Sequence, residues 1–213
     1  TRNHPASLTK IMTLYMVFDA LRDGRLKMNQ RLKVSRLASK RPRSKLWLRP
    51  GSTITVREAV LALVTKSAND VATVVAENLA GSEAAFAKAM TARARALGMT
   101  RTTFRNASGL RHSKQLSTAR DMATLGLRIR QDFPELYKYF NTWRFSYNGQ
   151  TYTNHNRLLR RYEGTDGIKT GYINASGFNL VASVERDGRR LIGVVFGGRT
   201  GKSHDKQMRK LLD

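Results

Sequence analysis

A segment near the start of the chain is apolar on nearly every side of the helix that it would form. Its apolar residues are Ile11, Met12, Leu14, Tyr15, Met16, Val17, Phe18 and Leu21. A helix that is hydrophobic all round lies in the core of a protein and not on its surface. Pro5 suits a first helical turn, and the segment ends at Asp23-Gly24. We therefore predict a buried helix at the centre of the fold.

Helical patterns continue through the middle of the chain, and strand patterns follow them. The predicted helices cover residues 60–65, 70–79, 83–97 and 118–130, with a last short helix ending near residue 212. The predicted strands are a hairpin over residues 143–153 and three segments at 167–169, 178–184 and 191–196. Asn148-Gly149 and Asp187-Gly188 indicate tight turns between antiparallel strands. A helical block between an early helix and a late antiparallel sheet predicts an α+β fold of two lobes.

The net charge is the unusual feature of the composition. The 213 residues, 40% of them apolar, can bury a core as one domain or as two closely packed lobes. There are 39 basic residues against 15 acidic ones, which gives a net charge of +24. Such a charge attracts nucleic acid, anionic lipid or an anionic cell-wall polymer. Residues 31–49 hold eight basic residues and no acidic one, and their middle part indicates a loop.

Other features limit the kinds of site that the chain can form. It has no cysteine, so we expect neither disulfides nor thiolate metal sites. No apolar run has the roughly 18 residues of a membrane span, and no signal peptide begins the chain as given. The histidines lack the paired spacing of a zinc site, so we expect no metal and no cofactor. They are His4, His112, His155 and His204.

Three short motifs follow one another along the chain: Ser7-Leu8-Thr9-Lys10, Ser67-Ala68-Asn69 and Lys169-Thr170-Gly171. A serine hydroxyl is a weak nucleophile at neutral pH and needs a neighbouring base. A lysine three residues later on a helix lies one turn away on the same face. A position near a helix N-terminus also favours the negative charge that develops after attack. The ordered trio predicts a serine acyl-transferase that uses Lys10 as its base.

The same short patterns also occur elsewhere in the chain. A sequence of this length contains roughly one chance S-x-x-K and about one chance S-x-N. Ser203-His204-Asp205-Lys206 lies downstream of the K-T-G motif and therefore breaks the order. Ser146-Tyr147-Asn148 belongs to the predicted hairpin. We exclude both from the predicted site.

In five segments the chain resembles the low-molecular-mass penicillin-binding proteins that act as D-alanyl-D-alanine carboxypeptidases, serine peptidase family S11. The segments are S-L-T-K at 7–10, S-A-N-D at 67–70, F-R-N-A-S-G-L at 104–110, D-G-I-K-T-G at 166–171 and F-G-G-R at 196–199. S-x-x-K followed by K-T-G is a signature of penicillin-binding proteins and class A β-lactamases. The resemblance runs from about His4 to Leu212.

The resemblance implies a β-lactamase/transpeptidase-like α+β fold, with the active site between an antiparallel sheet lobe and a helical lobe. It implies one serine-peptidase domain over residues 1–213, a helical sub-lobe at about 25–140 and no C-terminal accessory domain in this chain. Members of the family generally begin with two strands before the S-x-x-K helix. Because only six residues precede Ser7, we expect those N-terminal sheet strands to be missing from this chain.

The resemblance also implies a catalytic role for five residues. Ser7 would attack the carbonyl between two D-alanines, and Lys10 would take its proton. Ser67 would relay the proton to the leaving amine, and Asn69 would hold the substrate amide and orient Lys10. Lys169 would keep the local potential positive. Because a second cation raises the cost of protonating the first, we expect Lys10 to be neutral in the resting site.

Substrate binding is implied for four further positions. Thr170 and Arg199 would bind the terminal carboxylate. Gly171, the next residue after Thr170, would belong to the same substrate-binding segment. Backbone N–H groups of Ser7 and Tyr172 would form the oxyanion hole. Tyr172 stands where many relatives carry histidine, so we expect a change in substrate or pH preference with the reaction class retained.

The function implied is removal of the terminal D-alanine from peptidoglycan stem pentapeptides through an acyl-serine intermediate, by an exported, periplasmic or extracytoplasmic enzyme that β-lactam antibiotics acylate. A D,D-endopeptidase, a weak transpeptidase or a weak β-lactamase is the alternative on the same site. No glutamate has asparagine four residues on, so we expect slow release of penicillin.

An alternative of a different class is a basic module that binds a polyanion and has no catalytic site. Residues 31–49 contain Trp47 as their only aromatic residue, which argues against nucleic acid, whereas an anionic wall or membrane surface remains a predicted partner.

Overall fold

The predicted central helix is present and buried. The computed structural model describes all 213 residues, and helix α1 (Thr9–Arg22) buries 11 of its 14 residues. It is preceded by a 3₁₀ turn over Ala6–Leu8. The prediction of a continuous helix from Pro5 is wrong at this end, because Ala6 has a φ of 49°, outside the right-handed helical region. Ser7 therefore lies on a tight turn that leads into α1.

Four helices surround α1. They are α3 (Val56–Thr65), α4 (Asn69–Ala80), α5 (Glu83–Ala96) and α6 (Ala119–Asp132). Their N-termini are capped by hydroxyl side chains in three cases, by Thr55, Ser82 and Thr118. The predicted helices in this region are thus confirmed, with ends that differ by a few residues. None of the helices of this chain is long and apolar enough to cross a membrane.

The basic segment 31–49 is more ordered than predicted. It contains strand β1 (Arg31–Lys33) and helix α2 (Arg36–Ser39), and β1 pairs antiparallel with β2 (Thr53–Thr55). Neither element was predicted. The strand pair forms because Leu32 and Ile54 are both buried and face each other, and the side chain of Ser35 caps α2. Residues 40–50 are irregular, as predicted.

The second lobe is a sheet of three antiparallel strands. They are β5 (Thr165–Ile173), β6 (Gly177–Arg186) and β7 (Arg189–Gly198), in the order β5-β6-β7. Residues 187 and 188, both with positive φ, form the predicted turn between β6 and β7. One face of the sheet packs against α6, and the other packs against α8 (Leu158–Arg161) and α9 (Gly201–Leu212) through a small apolar cluster. The α+β fold with two lobes is confirmed.

Two smaller elements connect the lobes. Helix α7 (Pro134–Tyr137) continues into a 3₁₀ turn at Lys138–Asn141. The predicted hairpin follows as β3 (Arg144–Tyr147) and β4 (Gln150–Thr153). Asn148 and Gly149 at its tip have φ values of 47° and 76°, as a type I′ turn requires. This hairpin packs against α3 of the helical lobe.

Gly109 lets two backbone segments approach more closely than any other residue would allow. Its φ is +90°, and a Cβ atom at this position would lie 1.8 Å from the carbonyl oxygen of Ala6. Gly98 has a similar φ of +85° but has open space around it. An alanine at position 98 would therefore meet only the strain of a positive φ, whereas an alanine at position 109 would meet that strain and a steric overlap as well.

We expect Gly98→Ala to lower the free energy of unfolding by about 1–2 kcal/mol, since an alanine at positive φ is strained. Gly109→Ala should cost at least roughly twice as much, because its methyl group also overlaps backbone atoms of the turn that carries Ser7. Urea unfolding of the two variants beside the parent measures the difference. Equal losses of unfolding free energy in the two variants would show that the backbone at Ala6 moves away from the added methyl group at no cost.

Candidate active site

A cleft of about 1240 Å³ opens between the helices and the free edge of β5. Ser7, Ser67 and Asn69 line it from the helical side, and residues 170–173 line it from β5. Lys10 and Lys169 lie beneath this surface, with relative exposures of 0% and 2%. The fold thus brings the three separate motifs to one place.

The amine of Lys10 has three hydrogen-bond partners from three segments of the chain. Its Nζ lies 3.0 Å from Ser7 Oγ, 2.8 Å from Asn69 Oδ1 and 2.6 Å from the carbonyl oxygen of Ser108. The amide of Asn69 is oriented by its own nitrogen, which donates to the carbonyls of Pro42 and Arg43 at 3.0 Å each. Its oxygen is therefore the atom presented to Lys10.

These partners fix the direction of the Lys10 lone pair when the amine is neutral. A neutral amine has two N–H donors and one lone pair. Asn69 Oδ1 and the Ser108 carbonyl can only accept, so they take the two donors. The lone pair is left for Ser7 Oγ, the one partner that carries a proton of its own. The arrangement suits transfer of the serine proton to Lys10.

Burial favours the neutral form of both lysines. Burial is the largest cause that lowers the pKa of Lys10 well below its ordinary value, and the positive charge of Lys169 lowers it further. Asp70 and Glu83 oppose this shift. Burial also lowers the pKa of Lys169 to about 7. The expectation of a lowered pKa for Lys10 agrees with these directions, although loss of hydration contributes more than the neighbouring lysine does.

Ser67 lies between α3 and α4, as predicted, with its backbone in the left-handed region at a φ of 58°. It is buried, and its Oγ has no hydrogen-bond partner within the chain. Lys169 likewise retains free donors, since its only hydrogen bond runs to the carbonyl of Thr170 at 3.2 Å. A buried polar group without a partner is costly, so both groups are available to a bound molecule.

Strand β5 passes very close to the turn that carries Ser7. A Cβ atom on Gly171 would lie 2.9 Å from the backbone nitrogen of Ser7, so only glycine fits. The side chain of Tyr172 is 51% exposed, and its hydroxyl donates to Asn174 at 2.8 Å. Arg199 is placed differently: it is exposed beyond the end of β7 and does not line the cleft.

The side chains that position Ser108 were not among the predicted site residues. The N–H of Ala107 donates to Glu83 Oε1 at 3.0 Å, and Thr13 Oγ1 donates to the carbonyl of Ala107 at 2.6 Å. These bonds hold the peptide that precedes the Ser108 carbonyl, one of the partners of Lys10. Residues 104–110 carried part of the family resemblance, which was the available signal, but a backbone carbonyl leaves no trace in a motif.

The two excluded serines lie outside the cleft. Ser203 belongs to α9, where it exchanges hydrogen bonds with Thr200 in a capping box. Ser146 lies on β3 and pairs with the hydroxyl of Thr151. Both have local structural partners, and neither contacts a lysine amine.

The comparisons with known proteins agree with this geometry. Residues 1–200 match the family model described as Peptidase_S11, D-alanyl-D-alanine carboxypeptidase. D-alanyl-D-alanine carboxypeptidase DacF of Bacillus subtilis is 36% identical over 220 residues, which cover 98% of this chain and 55% of the relative. The chain thus spans about half the length of the curated relatives that it matches.

Solved structures are similar over the whole chain. D-alanyl-D-alanine carboxypeptidase DacD from Francisella tularensis superposes with a TM-score of 0.97 at 30% identity, covering 100% of this chain and 64% of that one. Penicillin-Binding Protein D2 from Listeria monocytogenes, in its cefotaxime-bound form, gives a TM-score of 0.90 at 31% identity and covers 100% and 87%. The resemblance inferred from the motifs is confirmed, and the chain belongs to the Peptidase_S11 family of D-alanyl-D-alanine carboxypeptidases.

Proposed function

We propose that this chain carries the active site of a serine-type D-alanyl-D-alanine carboxypeptidase, which removes the terminal D-alanine from peptidoglycan stem pentapeptides. The observation that carries the proposal is the buried amine of Lys10, which lies 3.0 Å from Ser7 Oγ and whose other two partners can only accept hydrogen bonds. A neutral amine beside a serine hydroxyl supplies the base that a serine nucleophile needs. The family supports the choice of substrate.

The first half of the reaction transfers the acyl group to the serine. Ser7 Oγ attacks the carbonyl carbon between the two D-alanines while its proton passes to Lys10 Nζ. Backbone N–H groups of Ser7 and Tyr172 stabilise the oxyanion, and the close approach of Gly171 to the Ser7 nitrogen supports this pairing. The C–N bond then breaks, and the proton on Lys10 reaches the departing amine through Ser67. The unpartnered Oγ of Ser67 supports its part in this relay.

The second half releases the product. A water molecule attacks the acyl-serine, Lys10 accepts a proton from that water, and Ser7 Oγ recovers a proton as the ester bond breaks. Among the residues that line the cleft, Asp205 is the only acidic one and there is no glutamate. The cleft therefore lacks a carboxylate of the kind that class A β-lactamases use for deacylation, and a β-lactam should be released slowly.

Recognition of the terminal carboxylate is assigned to Lys169, Thr170 and Arg199. The buried Lys169 keeps a positive potential at the inner wall while it is protonated. Thr170 lines the cleft beside it. Arg199 has no carboxylate partner and lies outside the cleft, so its part requires the side chain to turn inward when substrate binds.

A β-lactam is proposed as a second ligand of the same site, because its strained carbonyl is open to the same attack. We expect benzylpenicillin to add one drug mass to the parent chain and none to a Ser7→Ala variant, measured on the intact protein. Ser203→Ala is the matched control, since it removes the serine of the other S-x-x-K and should keep the adduct. A folded parent without an adduct would contradict the acyl-serine mechanism.

The two lysines should give the acylation rate a bell-shaped dependence on pH. Acidification protonates Lys10, which then cannot take the serine proton, so the rate falls on the acid side. Above about pH 7 Lys169 loses its positive charge, so the rate falls on the alkaline side as well. Stopped-flow acylation by a chromogenic cephalosporin, over the range in which circular dichroism shows an intact fold, measures both limbs.

Lys169→Arg is the control for that profile, because arginine stays charged at high pH. This variant should keep the acid limb and lose the alkaline limb. A parent rate that does not fall on acidification would contradict the role of Lys10 as the base. An alkaline limb that persists in Lys169→Arg would contradict the assignment of that limb to Lys169.

We also propose an exported location, with long-range attraction of the +24 charge to the anionic cell wall or membrane surface. Salt screens such attraction over roughly 10 Å at 0.1 M ionic strength. Raising the salt concentration should therefore lower D-alanine release from intact cell-wall sacculi and spare release from a short soluble pentapeptide. Equal losses of D-alanine release from both substrates would contradict the proposed electrostatic attraction to the cell wall or membrane surface.

A further inference from the structure

The lining of the cleft is rich in cations that have no carboxylate partner. Six basic side chains line the cleft, against the single carboxylate of Asp205. We call these six residues the cationic wall: Arg43, Lys45, Lys66, Arg157, Arg160 and Arg161. Three come from the segment before Ser67 and three from the region of α8, so the wall exists only in the folded protein.

None of the six has a carboxylate within 4.0 Å. The salt bridges of lysine and arginine in this chain use other residues, namely Arg22, Arg25, Arg41, Arg93, Arg128, Lys138 and Arg190. Like charges gathered in a concave site repel one another and raise the local concentration of anions. An anion bound there would relieve that repulsion and supply the missing hydrogen-bond acceptors.

Two tryptophans hold parts of the wall in place. Lys45 Nζ lies 4.4 Å from the ring centre of Trp47, and the guanidinium of Arg43 lies 5.2 Å from it. Arg160 lies 5.5 Å from the ring centre of Trp143. These cation–π contacts orient long side chains that would otherwise move freely.

The loop that carries Trp47 is itself anchored from below. The buried carboxylate of Asp70 accepts hydrogen bonds from the N–H groups of Leu46, at 3.0 and 3.1 Å, and of Leu48, at 3.1 Å. Trp47, between them, is held at a φ of 62° with its side chain 59% exposed. A large apolar ring kept at the surface by a buried anchor offers a flat contact to a ligand.

His155 lies beside these cations without adding to their charge. It lines the cleft among the cations. Loss of hydration is the largest cause that lowers its pKa to about 4, and the charges of Lys169, Lys66 and Lys10 lower it further. The imidazole is therefore neutral at pH 7 and adds no charge to the wall.

We propose that the cationic wall is a subsite for an acidic peptide, binding free carboxylates in the part of the substrate that stays attached to Ser7 after cleavage. The inference rests on the proposed function, in which a single D-alanine leaves. A cleft of about 1240 Å³ is far larger than one alanine, so most of its surface meets the retained part of the peptide. The charges on that surface select carboxylates as their partners.

The attraction of the whole protein for anions must be separated from a subsite. Any anionic peptide gains from the +24 charge, wherever the charges lie. A subsite instead depends on particular side chains in the cleft. If the subsite exists, removing three cations from the cationic wall must weaken the binding of an acidic peptide more than removing three exposed cations elsewhere does.

The test measures binding of two peptides to chains that carry Ser7→Ala, so that no turnover is needed. Both peptides are N-acetylated and end in D-Ala-D-Ala, preceded by two glutamates in one and by two glutamines in the other. The wall variant adds Arg157→Gln, Arg160→Gln and Arg161→Gln, three exposed side chains without a carboxylate partner. The control variant adds Lys27→Gln, Lys88→Gln and Arg120→Gln, which are exposed and lie outside the cleft.

Isothermal titration calorimetry at fixed salt gives two dissociation constants, one for each peptide, with each of the two variants and with the Ser7→Ala parent. We expect the glutamate peptide to bind about tenfold more tightly than the glutamine peptide to the parent, as charge-assisted hydrogen bonds allow. The control should keep that ratio and the wall variant should lose most of it. Equal binding of both peptides by the parent, or equal losses in the two variants, would overturn the subsite.

The proposed function fails in a different way. If the chain with Ser7 intact releases no D-alanine from either peptide and forms no penicillin adduct, the proposed carboxypeptidase activity is contradicted. The binding ratio of the Ser7→Ala chains then still decides whether the cationic wall selects carboxylates.

Discussion

The site depends on shielding the Lys10 amine from bulk solvent while leaving it in contact with Ser7 Oγ. Lys10 is fully buried, and its three partners come from the turn before α1, from α4 and from residues 104–110. Unless all three segments meet at the amine, it lacks hydrogen bonds at a position that has no contact with bulk solvent, which is costly. The need to satisfy this one group therefore ties the helical lobe together around the start of α1.

The second buried lysine makes the same region less stable than an apolar core would be. The pKa of Lys169 falls from 10.5 to about 7, and at about 1.4 kcal/mol for each pKa unit its charged form costs roughly 4–5 kcal/mol more in the folded protein than in water. Its free donors have no partner to offset that cost. Such a group is retained at functional sites, where a perturbed pKa serves the chemistry.

Buried carboxylates support the site from behind without lining it. Glu83 accepts from the N–H of Ala107 and pairs with Arg41, and Asp70 holds the loop around Trp47. Both also raise the pKa of Lys10, in opposition to burial and Lys169. The same two side chains thus fix the cleft walls and limit how far the amine is shifted. Glycine at positions 109 and 171 allows the backbone segments to come this close.

The sequence by itself determined the buried helix, the hairpins, the three motifs and their order, because periodicity, turn residues and short motifs are local properties. It also separated Ser7 from Ser203, since order along the chain is visible without a structure. It did not determine the 3₁₀ turn at Ser7, the strand and helix within residues 31–49, or the carbonyl of Ser108 beside Lys10. These follow from contacts between residues far apart in the chain. The burial that lowers the pKa of both lysines and the presence of Arg43 and Arg157 in one cleft have the same origin. Only the tertiary structure decides such features, because burial and long-range contact arise when the two lobes pack together.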